Sequence, residues 1–378
     1  MHTISCIMHL ENRGVIDRRY VTSFFGTSAG AIAGVIFATK TPLCDVSKYL
    51  VERPWSEIFT VTPAHVLNAY QNKGLFGMDV MRECLKPVFD ARSISLDITL
   101  AEFYKLSKID LHMFSVEINS FTLEDISHTT HPNLPVVDAV YMSCSIPGCV
   151  APRFIGKKCY IDGAILCNYP LRPCLDHPDT EVGSTLAFTC NYMPNATYAT
   201  VSDISNFCDK AAPQLLPAPS EENLPGETDG ENKQNKKGEN KTDMEKEKEK
   251  EKEKEKENEN KIKNEKKKEK EKEKEPNQKP EVISASANIL EFITTIFLQL
   301  VATVGRMMHP NVSAEEREQL LEFSCYVERM TYQYMHASIT SEKIRQKLVD
   351  NGERDVIIFL QRYNLSLSNQ NTTMDAKI

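Results

Sequence analysis

The chain has 378 residues, a formal net charge of −8 at pH 7 and 41% hydrophobic residues. The acidic balance, without a basic segment interleaved with aromatic residues, argues against a nucleic-acid-binding protein. One long segment is too polar to belong to a hydrophobic core, so the composition leaves material for one sizeable α/β domain.

The cysteines and the amino-terminal residues bear on the compartment. The eleven cysteines are an odd number and form no C-x-x-C pair, which is typical of free thiols in a reducing compartment and not of a disulfide framework or a zinc site. The opening residues MHTISCIMHL have no basic region followed by an uninterrupted apolar run, so they do not resemble a signal peptide. We therefore predict an intracellular, cytoplasmic protein.

Helices and strands alternate in the predicted first half of the chain. Residues 4–14 predict an amphipathic helix that ends at Gly14, which can adopt the left-handed conformation of a helix cap. A strand over 20–25, rich in β-branched and aromatic residues, leads through a glycine turn into an alanine-rich helix over 28–39. Later predicted elements are helices over 77–90 and 99–108, short helices and loops over 131–173, and strands over 111–119 and 184–190.

A run of Glu and Lys interrupts the globular sequence. Over residues 217–281 the composition changes to Glu, Lys, Asn and Gly, with long stretches of strictly alternating Glu and Lys. This alternation places like charges four residues apart on a helix, which is unfavourable, and it supplies almost no apolar residue for a core. We predict a long disordered insertion within one domain, between the catalytic region at 1–216 and the completing helices at 282–378.

Two helices are predicted after the insertion. The most apolar run of the chain, residues 288–305, is interrupted by polar residues such as Glu291, so we predict a core helix, with a lipid-facing helix as the alternative. In residues 313–335, Ser313 and Glu316 have the spacing of a capping box, and the apolar residues after them recur at helical intervals. This pattern predicts one continuous packed helix.

The first candidate site is the sequence GTSAG, in which Ser28 stands between Gly26 and Gly30. On a turn from strand to helix, this G-x-S-x-G pattern exposes the serine hydroxyl at the helix N-terminus. There the amide of Ala29 and the helix dipole can stabilise an oxyanion. The alternative is a tight turn that needs small residues for packing alone.

A histidine-dependent triad of the α/β-hydrolase type fits this sequence poorly. Several strands should precede the nucleophile of such an enzyme, whereas only 27 residues precede Ser28. The histidines of the polar segment SHTTHP, His128 and His131, are typical of an exposed structural role.

The second candidate site is the sequence YIDGA. Asp162 is predicted to end a short strand, and Gly163 can adopt a positive φ in the turn that follows, before Ala164. Such a turn can direct a carboxylate into a cleft. The alternative is an ordinary turn, because D-G is common in turns without a functional role.

The two motifs, together with the residues between them, resemble the patatin-like phospholipases. In that family a G-x-S-x-G serine and the aspartate of a D-G-(G/A) turn form a Ser-Asp dyad without histidine. The resemblance includes the helix before the aspartate, here residues 137–145, and an N-x-P motif, here Asn168 and Pro170. It extends to about residue 190 and returns in residues 339–360, which are similar to the closing segment of the family.

The resemblance implies a three-layer α/β/α fold and a serine lipid acyl hydrolase of the phospholipase A or lysophospholipase type. Ser28 would be the nucleophile and Asp162 the general base, acting through an acyl-enzyme. The other implied site residues are Gly26, Ala29 and Gly30 of the elbow and Gly163 and Ala164 of the aspartate turn. No metal or cofactor is implied, and the expected partners are a phospholipid or other acyl-lipid ester and, peripherally, a membrane.

Two other functions remain open on the sequence. The first is a catalytically impaired patatin-like domain that serves as a lipid-binding or interaction module. Family enzymes carry a G-G-G-x-(R/K)-G loop that forms much of the oxyanion hole, and the residues before Ser28 do not contain it. We therefore expect the chain as it stands to be poorly active and marginally stable. The second alternative, a scaffold for protein partners, depends on the charged insertion alone.

Overall fold

The computed structural model describes residues 1–192, 200–204, 289–307, 311–328, 331–363 and 365, all of which fall in one contact unit. The predicted insertion lies outside the described residues, so the division into 1–216, 217–281 and 282–378 stays a prediction. Within the described part of the chain, no helix is both long enough and apolar enough to cross a membrane.

Helices and strands alternate along the chain as described. The elements up to residue 117 are α1 (His2–Asn12), β1 (Ser23–Thr27), α2 (Ala29–Ala38), α3 (Leu43–Glu52), α4 (Trp55–Ile58), α5 (Pro63–Asn72), β2 (Gly74–Phe76), α6 (Met78–Asp90), α7 (Leu100–Ser107) and β3 (Asp110–Glu117). The elements up to residue 192 are β4 (Thr122–Ile126), α8 (Val136–Ser143), β5 (Gly148–Val150), β6 (Arg153–Ile155), β7 (Lys158–Asp162), α9 (Ala164–Cys167), α10 (Leu171–Leu175) and β8 (Leu186–Tyr192). The remaining elements are α11 (Ile289–Met307), α12 (Ala314–Gln319), β9 (Leu321–Val327), α13 (Tyr332–Thr340) and α14 (Glu342–Arg362).

The predicted elements of the first half are confirmed with shifted ends, except that residues 131–173, predicted as short helices and loops, also contain the strands β5 and β6. The helix predicted over 4–14 is α1, and Gly14 just beyond it has the left-handed φ of 73° expected for a cap. The strand predicted over 20–25 begins later, at Ser23. Sequence analysis did not predict α3, α4, α5, β2 or β4, although the buried residues Leu43, Val46 and Val51 of α3 have helical spacing.

Three strands pair with β3, and the pairing decides how the sheet is built. β4 runs antiparallel to residues 113–117 and so occupies one edge of β3. The other edge is therefore shared: β1 runs parallel to residues 110–114, and β7 runs antiparallel to residues 115–117. β6 extends the sheet by pairing with β7.

This register brings the ends of β1 and β7 together. Thr27, the last residue of β1, lies opposite Phe114, and Asp162, the last residue of β7, lies opposite Ser115. Because β1 is parallel to β3 and β7 is antiparallel to it, the two strands end head to head. The residues that follow β1 and end β7 therefore meet at one point of the sheet.

Helices cover both faces of the sheet, as the three-layer α/β/α prediction requires. α2 and α8 pack on one face, where Leu111 and Met113 join the largest hydrophobic core. α9 and α11 lie on the other face, where Val116, Ile161 and Phe297 form a smaller core. Alternate residues of β3 thus point into different cores, which is the two-residue period of a strand.

The continuous helix predicted over residues 313–335 is wrong. Its capping box is present, because Ser313 Oγ accepts a hydrogen bond from the Glu316 amide at 3.1 Å, but α12 ends after six residues. β9 follows and pairs in parallel with all seven residues of β8. Phe323 and Cys325, two residues apart, are both buried, so this segment follows a strand period. The ladder with β8 overrides the helical spacing seen in the sequence.

The apolar helix predicted over 288–305 is α11. One side packs on the core, with Phe297 buried, as a core helix requires. The opposite side carries Phe292, Ile296 and Leu300, which are each between 43% and 46% exposed. α11 therefore combines a packed face with an exposed apolar face.

Candidate active site

Ser28 lies on a strained turn between β1 and α2. Its φ of 54° and ψ of −116° are values that residues other than glycine rarely adopt. A sharp turn of this kind, from a strand into a helix, is the geometry of a nucleophile elbow. Ser28 remains partly accessible there, although Gly26 and Thr27 before it and most of α2 after it are buried.

The small residues of the elbow serve different purposes. A Cβ atom on Gly26 would lie 2.5 Å from the carbonyl carbon of Gly30, so the turn closes only around a glycine at position 26. A Cβ atom on Gly30 would meet nothing within 4 Å, and Ala29 is exposed, so packing does not require either to be small. Both residues lie in the first turn of α2, at the positive end of the helix dipole.

Asp162 is held from both its backbone and its side chain. Its amide donates a hydrogen bond to the Ser145 carbonyl at 2.9 Å, and its Oδ1 accepts one from the Ala164 amide at 2.8 Å. The other carboxylate oxygen, Oδ2, accepts a hydrogen bond from Ser28 Oγ at 2.6 Å. The structure thus brings together two predicted site residues that are 134 residues apart in sequence.

Burial changes the acidity of Asp162, which is 1% exposed. Desolvation raises its pKa from 3.8 to about 6, although the hydrogen bonds from Ser28 and Ala164 oppose the shift. At neutral pH the carboxylate is therefore ionised, yet more basic than an exposed aspartate. Because the folded pKa lies above the unfolded one, ionisation of Asp162 lowers the stability of the fold by roughly 3 kcal/mol above pH 6. This penalty disappears as the pH falls towards 4.

The positive φ predicted for Gly163 is wrong, since its φ is −67°. Glycine is needed there for a different reason: a Cβ atom would lie 2.2 Å from the backbone oxygen of Phe114. The turn after Asp162 therefore passes directly over β3 and leads into α9. The hydroxyl of Thr27 donates to the Cys167 carbonyl at 2.7 Å and ties the end of α9 to β1.

Two serines outside the motifs support the elbow. The Ser28 amide donates to Ser143 Oγ at 2.9 Å, and Ser143 Oγ donates to the Phe114 carbonyl at 2.7 Å. The hydroxyl of Ser115 donates to the Ile161 carbonyl at 2.7 Å, next to Asp162. Sequence analysis missed Ser143 and Ser115, because a single serine in a helix or a strand has no distinguishing spacing.

A buried cysteine also adjoins the dyad. The pKa of the Cys144 thiol lies well above the ordinary value because of burial and, secondarily, the charge of Asp162. Cys144 is therefore held as a neutral thiol. It does not compete with Ser28 as a nucleophile at neutral pH.

His128 and His131 are engaged elsewhere in the fold. His128 stacks on Tyr104 with ring centroids 3.8 Å apart and is hydrogen bonded through Nδ1 to Asp110 Oδ1 at 2.7 Å. His131 Nδ1 lies 2.9 Å from the Thr130 hydroxyl. These contacts agree with the structural roles predicted for both histidines, whereas the Ser28 hydroxyl is hydrogen bonded to Asp162.

One family model, one curated protein and one solved structure are similar to parts of this chain. Residues 12–175 match the family model of the patatin-like phospholipases. An uncharacterized protein of Acanthamoeba polyphaga mimivirus is 22% identical over 194 residues, which are 51% of this chain and 64% of that protein. The crystal structure of VipD from Legionella pneumophila aligns with 57% of this chain and 55% of that chain, at 15% identity and a TM-score of 0.33. The chain thus spans less than two thirds of the length of each of these proteins.

Proposed function

We propose that this protein, whose residues 12–175 match the family model of the patatin-like phospholipases, is a serine lipid acyl hydrolase with Ser28 and Asp162 as its catalytic dyad. The observation that carries the proposal is the 2.6 Å hydrogen bond from Ser28 Oγ to Asp162 Oδ2, made across the facing ends of β1 and β7. The strained φ of Ser28 supports it, because such strain is concentrated at functional sites.

The dyad supports acyl transfer in two steps. Ser28 Oγ attacks the carbonyl carbon of a lipid ester while Asp162 takes the hydroxyl proton, and the amides of Ala29 and Gly30 bind the oxyanion that forms. The C–O bond to the alcohol then breaks, and Asp162 returns the proton to the departing oxygen. In the second step Asp162 takes a proton from water, whose oxygen attacks the acyl-enzyme and releases the fatty acid and Ser28. The substrate class is a phospholipid, a lysophospholipid or another acyl-lipid ester.

The pH dependence of hydrolysis tests the role of Asp162 as the base. We expect kcat/KM for a soluble short-chain ester to level off above about pH 6 and to fall about tenfold per pH unit below it, since only the ionised carboxylate accepts a proton. His131→Gln is the matched control and should leave the profile in place. A profile that moves with His131, or one that does not change between pH 5 and 8, would contradict the assignment.

Covalent labelling separates an active hydrolase from an impaired lipid-binding module. A fluorophosphonate probe should form a P–O bond to Ser28 Oγ with loss of fluoride, and peptide mass spectrometry should find the adduct on Ser28. If the chain binds lipid vesicles but is neither labelled nor active, the alternative of a catalytically impaired module replaces this proposal.

We further propose that the exposed apolar face of α11 rests on the lipid surface. Phe292, Ile296 and Leu300 follow one another at intervals of four residues and so form a single apolar stripe. The helix that carries the stripe packs on α9, which follows Asp162. A lipid surface at this stripe would therefore lie beside the strand that ends in the proposed base.

A second exposed helix adjoins the same part of the fold. α5 has no buried residue, and its Leu67 and Tyr70 are 77% and 93% exposed. α5 leads into β2, β2 pairs with β5, and α11 packs on β5. The two helices thus flank one small pair of strands, and their exposed apolar side chains are the ones that we assign to the lipid contact.

Polar substitution of the α11 stripe tests membrane contact. Each of the three side chains is about half exposed, so its insertion into lipid contributes roughly 1 kcal/mol. Phe292→Ser, Ile296→Ser and Leu300→Ser together should weaken binding to phosphatidylcholine vesicles about a hundredfold. Hydrolysis of a soluble ester should not change, and Leu106→Ser, at an exposed leucine of α7, is the control. Unchanged vesicle sedimentation of the triple variant would refute the contact.

A further inference from the structure

Two histidines and an aspartate converge at the beginning of β3. Ser28 follows β1 further along the same strand, beyond Phe114. Asp110 and His112 are two residues apart on the strand and so lie on the same face. His177 reaches them from the turn that follows α10. One potential ligand atom from each of the three side chains lies within 4.8 Å of the other two.

His112 has one ring nitrogen without a hydrogen bond. The residue is 3% exposed, and its Nδ1 donates to Asp125 Oδ2 at 2.8 Å. Its Nε2 is buried and has no hydrogen-bond partner among the described residues, and the nearest carboxylate oxygen is Asp110 Oδ2 at 3.4 Å. The buried Nε2 atom is satisfied there when a proton pairs it with Asp110, and a cation can take the place of that proton.

We propose that Asp110, His112 and His177 bind one zinc ion. Two imidazole nitrogens and one carboxylate oxygen are a common zinc donor set, with water completing the tetrahedron. The hydrogen bond from His112 Nδ1 to Asp125 leaves the Nε2 lone pair free for the metal. It forms the carboxylate–histidine–metal relay that usually orients such ligands.

Neighbouring side chains hold the ligands in place. His128 is hydrogen bonded to Asp110 Oδ1 at 2.7 Å and so leaves Oδ2 facing His112. Phe25 stacks on the His112 ring at a centroid distance of 4.3 Å and meets the His177 ring edge-on at 5.6 Å. The aromatic wall limits the access of water and restricts both imidazole rings.

The position of the site indicates a structural ion. His112 lies opposite Phe25 in the register of β1 and β3, three residues before Ser28. Zinc would link β3 to the segment at 163–177, which begins at the turn after Asp162. The ion would therefore hold that segment against the sheet without touching the dyad, and the proposal does not depend on the proposed function.

A second cluster of potential ligands is formed by His2, Cys6 and Cys325. Zinc that binds to the chain could be held there instead. There the His2 Nε2 atom already pairs with Asp355 Oδ2 at 2.9 Å, so the ring has a partner. A metal at that cluster would be held by sulfur. The two sites can therefore be told apart by the atoms around the ion.

Zinc titration of the full chain after chelation tests the proposal. Calorimetry should find one zinc ion per chain at this site, and zinc should raise the Tm. His177→Ala should abolish that binding, and Asp125→Asn should weaken it about 10- to 100-fold, as removal of an orienting carboxylate does. His131→Gln is the control and should bind zinc as the natural chain does.

X-ray absorption spectroscopy of the zinc-loaded natural chain identifies the atoms around the ion. This measurement does not depend on whether the variants fold. Only nitrogen and oxygen neighbours at about 2.0 to 2.1 Å are expected, whereas sulfur at about 2.3 Å would place the ion at Cys6 and Cys325 and overturn the proposal. The absence of zinc binding would also overturn it, because a proton would then occupy His112 between its two carboxylates. Equal zinc affinity in the natural chain and in His177→Ala would do the same.

Discussion

Replacing Ser28 with alanine is expected to lower ester hydrolysis by a factor on the order of 10⁴ or more. Asp162→Asn should be similarly inactive, because an amide cannot take the hydroxyl proton that the carboxylate accepts at 2.6 Å. The double variant should be no worse than either single variant, since both residues act in the same step. The measurement is the turnover of a soluble ester by each purified variant.

Matched substitutions control for general effects of these changes. Ser56 is exposed, and the Asp97 side chain is 72% exposed, so Ser56→Ala and Asp97→Asn should retain full activity. Substantial turnover by Ser28→Ala would refute the nucleophile assignment. Additive losses in the double variant would show that the two residues act separately.

Stability distinguishes loss of the base from loss of the fold. Asp162→Asn removes a buried charge whose ionisation weakens the folded state above pH 6. The stability of the variant relative to the natural chain should therefore rise by up to roughly 3 kcal/mol between pH 4 and pH 7. If Asp162→Asn is inactive and yet gains stability relative to the natural chain at neutral pH, the charge of Asp162 serves function and not folding.

Alanine at Gly26 or Gly163 is expected to destabilise the fold by about 3 kcal/mol or more and to remove activity with it. At both positions the added Cβ would meet backbone atoms, at 2.5 Å from the Gly30 carbonyl carbon and at 2.2 Å from the Phe114 oxygen. Backbone atoms cannot swing aside as the end of a flexible side chain can. Chemical denaturation monitored by circular dichroism gives the stability of each variant.

Gly183 provides the comparison for these two glycines. A Cβ atom there would meet nothing within 4 Å, and the residue does not have a positive φ. Gly183→Ala should therefore change stability by less than about 0.5 kcal/mol. If Gly26→Ala or Gly163→Ala behaved like Gly183→Ala, the tight approach of the two turns to β3 and α2 would be disproved.

Local patterns in the sequence determined the elements that carry the proposed chemistry. The G-x-S-x-G spacing predicted a turn from strand to helix at Ser28, because small residues are needed where a chain reverses so sharply. The D-G sequence placed Asp162 at the end of a strand. The resemblance joined the two motifs and predicted the family and the three-layer fold.

Other local patterns allowed more than one outcome. Phe323 and Val327 fit a helical stripe in the sequence but lie in β9, because pairing with β8 supplies a backbone ladder that a helix would not use. The sequence suggests that Gly163 is a glycine because it can adopt a positive φ, whereas the structure shows that a Cβ atom there would collide with the backbone of Phe114. In each case the deciding partner is distant in sequence.

Only the tertiary structure decided that these residues meet. The contact between Ser28 and Asp162 exists because β1 and β7 share one edge of β3 and end on consecutive residues of that strand. The cluster of His112 and His177 likewise depends on how the turn after α10 returns to the sheet. The spacing of residues in the sequence does not predict such a register. Hydrogen bonds between strands and packing between layers join segments whose separation along the chain is arbitrary.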